Sequence, residues 1–100
     1  MSTWRERDAH TQLRSRRINE RIGLAQAGEL VMLRCECRDP QCARVLTIER
    51  PVFDAVRAQP GRYVVAINHE NPESELVERE RDSYAVVDSL PGSAGAPAHR

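Results

Sequence analysis

The pattern of apolar and polar positions along the chain predicts two helices. Segment 11–26 contains strong helix formers and no proline, and Gly28 can end the helix. Its apolar residues recur at helical spacing on one stripe, which consists of Ile18, Ile22 and Ala25. A second helix is predicted over 49–59, because Pro51 suits a first helical turn, where its missing N–H costs nothing. One side of this helix is apolar and consists of Val52, Phe53 and Val56.

Five short aliphatic runs predict strands. They are residues 29–34, 44–48, 62–67, 76–80 and 84–88. The first run is aliphatic enough to be a buried strand, and in the second Leu46 and Ile48 share one face. Residues 81–83 between the last two runs predict a hairpin turn. The chain therefore predicts an α+β fold: a small, mainly antiparallel sheet of four or five strands, with one helix before it and a second helix that crosses between strands.

The two ends of the chain lack such patterns. Residues 1–10 are polar, and residues 89–100 are rich in proline, glycine and small side chains. We therefore expect a flexible N-terminus, a disordered C-terminal tail and a single domain over residues 11–88. A domain of this size has a small core, so a stabilising metal site or cross-link is expected.

The charged residues narrow the range of functions. All 15 basic residues are arginine, and 15 acidic residues balance them, which leaves no formal net charge. Neutrality argues against a dedicated nucleic-acid-binding protein, and the absence of lysine excludes Schiff-base catalysis. The first helix nevertheless carries a stripe of Arg14, Arg17 and Arg21, which is either its solvated side or a surface for a partner. No apolar run is long enough to span a membrane and no signal peptide is evident, so we expect a cytoplasmic protein without a membrane partner.

All three cysteines lie in one short segment. Cys35, Cys37 and Cys42 form the pattern Cys-x-Cys-x4-Cys. An odd number of thiols without a secretory signal is poor support for a disulfide framework. A tight turn between two strands, reversed at residues 39–40, can instead direct several thiolates at one ion. The pattern predicts a metal site, and ligand softness with tetrahedral preference favours Zn²⁺.

Three thiolates leave one ligand position, for which the sequence offers three histidines. His10 and His99 lie in segments expected to be flexible, whereas His69 directly follows the best predicted strand. We therefore predict a Cys₃His site, made of Cys35, Cys37, Cys42 and His69. Four protein ligands are typical of structural zinc, whereas catalytic zinc keeps a water position open. A water in place of His69, beside Glu70, would suggest a hydrolase, but no catalytic motif accompanies it and we expect no enzyme activity.

These residues resemble a group of small, functionally uncharacterised actinobacterial proteins. The similarity spans residues 16–88 and consists of Cys35-Glu36-Cys37-x4-Cys42, Phe53-x2-Val56-Arg57-x2-Pro60-x-Arg62-Tyr63-x-Val65, His69-Glu70-x-Pro72-x2-Glu75 and Val77-Glu78-Arg79. The resemblance implies the same metal ligands, namely Cys35, Cys37, Cys42 and His69. It implies no activity, substrate or partner.

These features favour a small zinc-binding, non-catalytic binding or regulatory module. Such a module would present its first helix, or the face near the zinc, to a protein partner or to a second copy of itself. One alternative is a nucleic-acid-binding zinc module that uses the arginines of the first helix, although four aromatic residues provide few stacking platforms. Those arginines are Arg14, Arg16, Arg17 and Arg21. The other alternative is a thiol redox switch, in which oxidation releases the zinc and loosens the fold.

Overall fold

The computed structural model describes residues 4–90 and has an α+β fold with two helices and five strands. The elements in chain order are α1 (Trp4–Ala25), β1 (Leu30–Arg34), β2 (Val45–Glu49), α2 (Arg50–Arg57), β3 (Arg62–Ala66), β4 (Glu75–Glu80) and β5 (Tyr84–Ser89). All strand pairs are antiparallel. The predicted fold class, the five strands and the crossing helix between the second and third strands are confirmed.

The five strands form two sheets rather than one. β1 and β2 make a two-stranded sheet in which Val31 lies opposite Ile48. The other sheet has the order β3-β5-β4, with the predicted hairpin between β4 and β5 and a register shift between Val77 and Arg79. Because α2 connects the two sheets, its length and direction determine where the cysteine-bearing loop lies relative to β3.

The ends of the domain differ from the sequence predictions. Helix α1 begins at Trp4 instead of Thr11, so residues 4–10, which were expected to be flexible, are helical. At the other end, Ser89 and Leu90 belong to the folded part, because their backbone N–H groups donate to the carbonyls of Gly61 and Ser74. The remainder of the expected flexible termini, residues 1–3 and 91–100, lies outside the described residues.

The hydrophobic core lies between the inner face of the β1–β2 sheet, helix α2 and the β3–β5–β4 sheet. Its largest contributions come from Val31, Leu33, Leu46, Ile48, Phe53, Tyr63, Val64, Val65, Tyr84, Val86 and Val87. Helix α2 buries the predicted side of Val52, Phe53 and Val56. Strand β1 is buried on one face only, since Leu30 and Met32 are more than half exposed, so the prediction of a buried strand holds for the face of Val31 and Leu33 alone.

Helix α1 docks through polar residues and not through the apolar stripe that its sequence contains. Its buried side chains are Gln12, Ser15, Arg16 and Asn19. In contrast, Ile22 and Ala25 are exposed and Ile18 is half-buried. The reason is the surface beneath the helix, which presents free backbone groups of a strand edge and of a helix end. Buried groups of that kind require hydrogen-bond partners, which aliphatic side chains cannot supply.

Two arginines, one from each helix, donate hydrogen bonds to backbone carbonyls at or just beyond the C-terminal end of the other helix. Arg16 of α1 donates to the last carbonyl of α2, that of Arg57, and to the carbonyls of Gln59 and Arg62 beyond it, at 2.7–2.8 Å. Arg50, the first residue of α2, donates to the carbonyl of Gly23 in the last turn of α1 and to those of Gln26 and Gly28 beyond it, at 2.5–3.1 Å. Cations at helix C-termini are favourable because the last carbonyls lack intrahelical partners and carry a partial negative charge.

Gly23 allows α1 and α2 to approach closely. A Cβ atom at this position would overlap the ring of Phe53, which packs directly on the glycine backbone. The same ring is flanked by the guanidinium groups of Arg50 and Arg57, at 5.6 and 5.3 Å from its centroid. A residue that weakens a helix in isolation therefore serves helix packing in this fold.

Candidate metal centre

The three cysteines lie at the start and the end of the loop between β1 and β2. Cys35 immediately follows β1, and its N–H continues the strand ladder by donating to the carbonyl of Arg44 at 2.9 Å. Asp39 reverses the loop, because its side-chain oxygen accepts from the N–H of Gln41 and its carbonyl accepts from the N–H of Cys42. Local turn chemistry thus returns the third cysteine to the first two, as the spacing predicted.

His69 reaches the cysteines from the second sheet. β3 ends at Ala66, and the next residues form a turn in which Asn68 has a φ of 70° and the N–H of His69 donates to the carbonyl of Ala66 at 2.9 Å. The N–H of Ala66 also donates to the Sγ of Cys35 at 3.1 Å. The end of β3 therefore lies against the end of β1, and this contact places the imidazole beside the thiols.

The four predicted ligands lie together. Their ligand atoms are all within 4.8 Å of one another, and His69 Nδ1 lies 3.4 Å from Cys35 Sγ and 3.7 Å from Cys42 Sγ. Zn–S and Zn–N bonds of ordinary length at tetrahedral angles separate a sulfur and a nitrogen by about 3.6 Å. The donor set and its spacing therefore fit a four-coordinate metal ion, with Nδ1 as the histidine donor.

The environment of the thiols favours thiolate at one position in particular. Cys35 and Cys37 are buried, and Cys42 is half-buried. A hydrogen bond from Cys35 lowers the pKa of Cys37 to about 5, whereas the same interaction and burial raise the pKa of Cys35. A metal ion would take the place of the proton that Cys35 and Cys37 share, because metals bind the thiolate form of cysteine and coordination releases the thiol protons.

Of the other two histidines, the one that the structure describes, His10, does not belong to the cluster. His10 lies on the exposed side of α1, and His99 lies outside the described residues. Among the described residues, the four-ligand cluster is the one group of histidine, cysteine and acidic side chains close enough to hold a metal ion. The choice of His69 from its position after the third strand is therefore consistent with the tertiary structure.

Glu36, between the first two cysteines, connects the cluster to the rest of the fold, and sequence reasoning missed it. It is 2% exposed, and its carboxylate accepts from the N–H of Val64 in β3 and from the Nδ2 of Asn19 in α1, both at 2.8 Å. Burial raises its pKa to about 7, although these hydrogen bonds oppose the shift. An acidic residue between two cysteines gives no signal in the sequence, because its partners come from segments that are distant along the chain.

Asn19 in turn joins α1 to β1, the strand that precedes the first cysteine. Its Nδ2 donates to the carbonyl of Arg34 at 2.8 Å, and its Oδ1 accepts from the N–H of Arg34 at 3.0 Å. Gln26, which directly follows α1, makes the same pair of hydrogen bonds to the backbone of Met32. Two amide side chains therefore complete the free edge of β1 as a neighbouring strand would.

The arginines predicted to bind a partner have different environments. Arg14, Arg17 and Arg21 lie on the exposed side of α1 and line a shallow groove of about 430 Å³. Arg16, the fourth arginine of the nucleic-acid alternative, is 8% exposed and caps α2, so it is not available to a phosphate backbone. The predicted surface of three arginines is accessible, and its partner stays a prediction.

No helix within residues 4–90 combines the length and apolar character that crossing a membrane requires. No protein-family model, curated protein or solved structure matches this chain. The resemblance to small actinobacterial proteins therefore stays a prediction, and the function must be inferred from the geometry of the cluster and its surroundings.

Proposed function

We propose that this protein is a cytoplasmic, zinc-stabilised and non-catalytic module that acts by binding a protein partner. The observation that carries the proposal is the Cys₃His cluster, whose four donor atoms lie within 4.8 Å of one another. Thiolate and imidazole donors in a tetrahedral arrangement are the ligand set that zinc prefers among the common cellular metals.

The number of ligands supports a structural role for the metal. A tetrahedral ion held by Cys35, Cys37, Cys42 and His69 has no position left for water, whereas catalytic zinc sites retain one. The ligands also join two sheets that share no strand pairing, since three come from the β1–β2 loop and one follows β3. Metal binding in small proteins contributes on the order of 10 kcal/mol to folding, which is comparable to the entire stability of a domain.

The exposed side of α1 supports binding as the activity. This helix buries polar residues and exposes aliphatic ones, with Leu13 and Ile22 each 39% exposed. These side chains flank the three exposed arginines, Arg14, Arg17 and Arg21. A cationic ridge bordered by aliphatic side chains suits a partner surface that is apolar with acidic groups, because it combines area burial with ion pairs.

The metal is tested by elemental analysis of the purified full-length chain. We expect one zinc per chain, and strong loss of zinc in Cys42→Ser and His69→Ala, while the control His10→Ala retains it. Chelation should unfold the domain, as followed by circular dichroism and restored by added zinc. A chain that contains no metal and stays folded in chelator would contradict the proposal.

The partner-binding role is tested by reversing the charge of α1. Arg17→Glu with Arg21→Glu should abolish binding to a partner or to a second copy, whereas Arg79→Glu on exposed β4 should not. Sedimentation of the zinc-loaded protein measures self-association, and affinity capture that compares these variants measures a partner. Retention on DNA or RNA with a steep salt dependence would support the nucleic-acid alternative instead, and a monomer whose captured proteins are the same for both variants would refute the α1 surface.

A further inference from the structure

Three of the four sheet edges in the described part of the chain are covered or interrupted. Asn19 of α1 and Gln26, which follows this helix, occupy the free edge of β1. Along the free edge of β3, Glu36 exchanges hydrogen bonds with Val64, and Cys35 Sγ accepts from Ala66. Proteins commonly block sheet edges in this way because open edges pair with other chains.

The edge formed by β4 is interrupted by its own sequence. The register of β4 with β5 shifts between Val77 and Arg79, and the three residues from position 78 to the end of the strand are charged. A bulge removes the regular spacing of backbone groups, and charged side chains oppose pairing with a further strand.

The edge of β2 has no such protection. Two hydrogen bonds show which residues of β2 direct their backbone groups toward β1. They run from the N–H of Cys35 to the carbonyl of Arg44 and from the N–H of Arg50 to the carbonyl of Glu29. In an antiparallel pair the direction of backbone groups alternates, so the N–H and C=O of residues 45, 47 and 49 point away from β1. These residues contain no proline and no bulge, and no described segment pairs with them.

This edge opens onto a polar groove. The groove has a volume of about 550 Å³ and lies between β2 and the turn that connects β4 with β5. Tyr84 also lines the groove, and its hydroxyl donates to the carboxylate of Glu49 at 2.8 Å. The walls are mainly acidic, since Glu49, Glu80 and Asp82 outnumber Arg81.

We propose that the free edge of β2 binds an extended peptide segment of a protein partner that carries basic side chains. The segment adds as a strand beside β2, where its backbone pairs with the groups of Val45 and Thr47. Its arginine or lysine side chains lie against the acidic groove, which supplies the selectivity that backbone pairing lacks. This inference rests on the proposed role as a binding module, but it involves neither the arginines of α1 nor the metal ligands.

The test uses the zinc-loaded full chain and a fluorescein-labelled peptide that alternates valine with arginine, beside the same peptide with glutamate in place of arginine. We expect fluorescence anisotropy to show saturable binding of the arginine peptide and at least about tenfold weaker binding of the glutamate peptide. Hydrogen exchange should slow at the amides of Val45, Thr47 and Glu49 when the arginine peptide is bound.

Thr47→Pro isolates the backbone contribution, because the N–H of Thr47 points away from β1 and is not used in the β1–β2 ladder. We expect at least about tenfold weaker peptide binding for Thr47→Pro and no change for Thr47→Val, which retains the N–H. Glu80→Gln with Asp82→Asn should weaken the arginine peptide selectively. If Thr47→Pro loses zinc, the exchange measurement and the charge variants still decide the question.

Several results would overturn the inference. They are equal affinity for the two peptides, no saturable binding at millimolar peptide, and protection confined to segments other than β2. A dimer in sedimentation that dissociates in Thr47→Pro would assign the edge to a second copy and exclude the peptide. The zinc assay and the charge variants of α1 test the proposed function without involving this groove. Failure of the proposed function can therefore be told apart from failure of this inference.

Discussion

The variant Asn19→Ala tests whether the polar face of α1 holds the helix against β1, the strand that leads into Cys35. The variant removes two hydrogen bonds to the backbone of Arg34 and one to the carboxylate of Glu36. Neutral hydrogen bonds contribute about 1 kcal/mol each, and one to a charged group about 1.5–3 kcal/mol. Alanine recovers about 0.5 kcal/mol of helix propensity, so we expect a net loss of about 3–4.5 kcal/mol in the free energy of unfolding.

Urea denaturation of the zinc-loaded protein measures this loss through the midpoint, with the slope unchanged. Gln26→Ala is a matched control, because Gln26 makes the same pair of hydrogen bonds to Met32 where the site is exposed. Water replaces the lost partners there, and we expect a loss below about 1 kcal/mol. Equal losses in the two variants would refute the conclusion that the buried amide secures the helix.

Three further predictions concern the packing and the pH dependence of the fold. Gly23→Ala should destabilise the domain by about 1–3 kcal/mol through overlap with Phe53, and Phe53→Leu in the same chain should restore part of this loss in urea titrations. Arg50→Ala should cost about 1–3 kcal/mol, because it removes the guanidinium donors from the carbonyls of Gly23 and Gln26; a loss below 0.5 kcal/mol, roughly the size of ordinary surface substitutions, would contradict the capping role. Burial and the hydrogen bond to Glu49 raise the pKa of Tyr84 above its ordinary value of 10.0. Since the native state holds this proton more tightly, the stabilisation is complete below pH 10 and decreases as the pH rises above it; Tyr84→Phe should reduce the alkaline loss measured by thermal unfolding, and an unchanged pH profile would argue against it.

Local chemistry made the four side chains of the candidate metal site predictable. The spacing of the three cysteines, with Asp39 to reverse the chain between them, indicated a turn that gathers thiols, and the structure forms that turn. His69 could be selected because a histidine directly after a strand has a defined position, whereas His10 and His99 lay in segments without strand pattern. Helix α2 was equally predictable, since a proline at its first turn and its apolar spacing act within a single element.

The docking face of α1 was not predictable, because its partners are backbone groups of other elements. Ile18 and Ile22 gave the expected signal of a buried stripe, yet Asn19 and Arg16 are the buried side chains. Polar residues at helical spacing normally indicate a solvated face. They indicate a docked face only where a strand edge or a helix end lies beneath them, and that arrangement exists only after the chain has folded.

The sequence alone therefore determined the two helices, the five strands and the side chains of the candidate metal site, because propensity, turn chemistry and ligand spacing act over a few residues. The tertiary structure decided that the strands divide into two sheets, that Glu36 is buried, and that the edge of β2 stays open. Each of these depends on long-range hydrogen bonds, since a backbone group or carboxylate can be buried only where distant segments supply its partners.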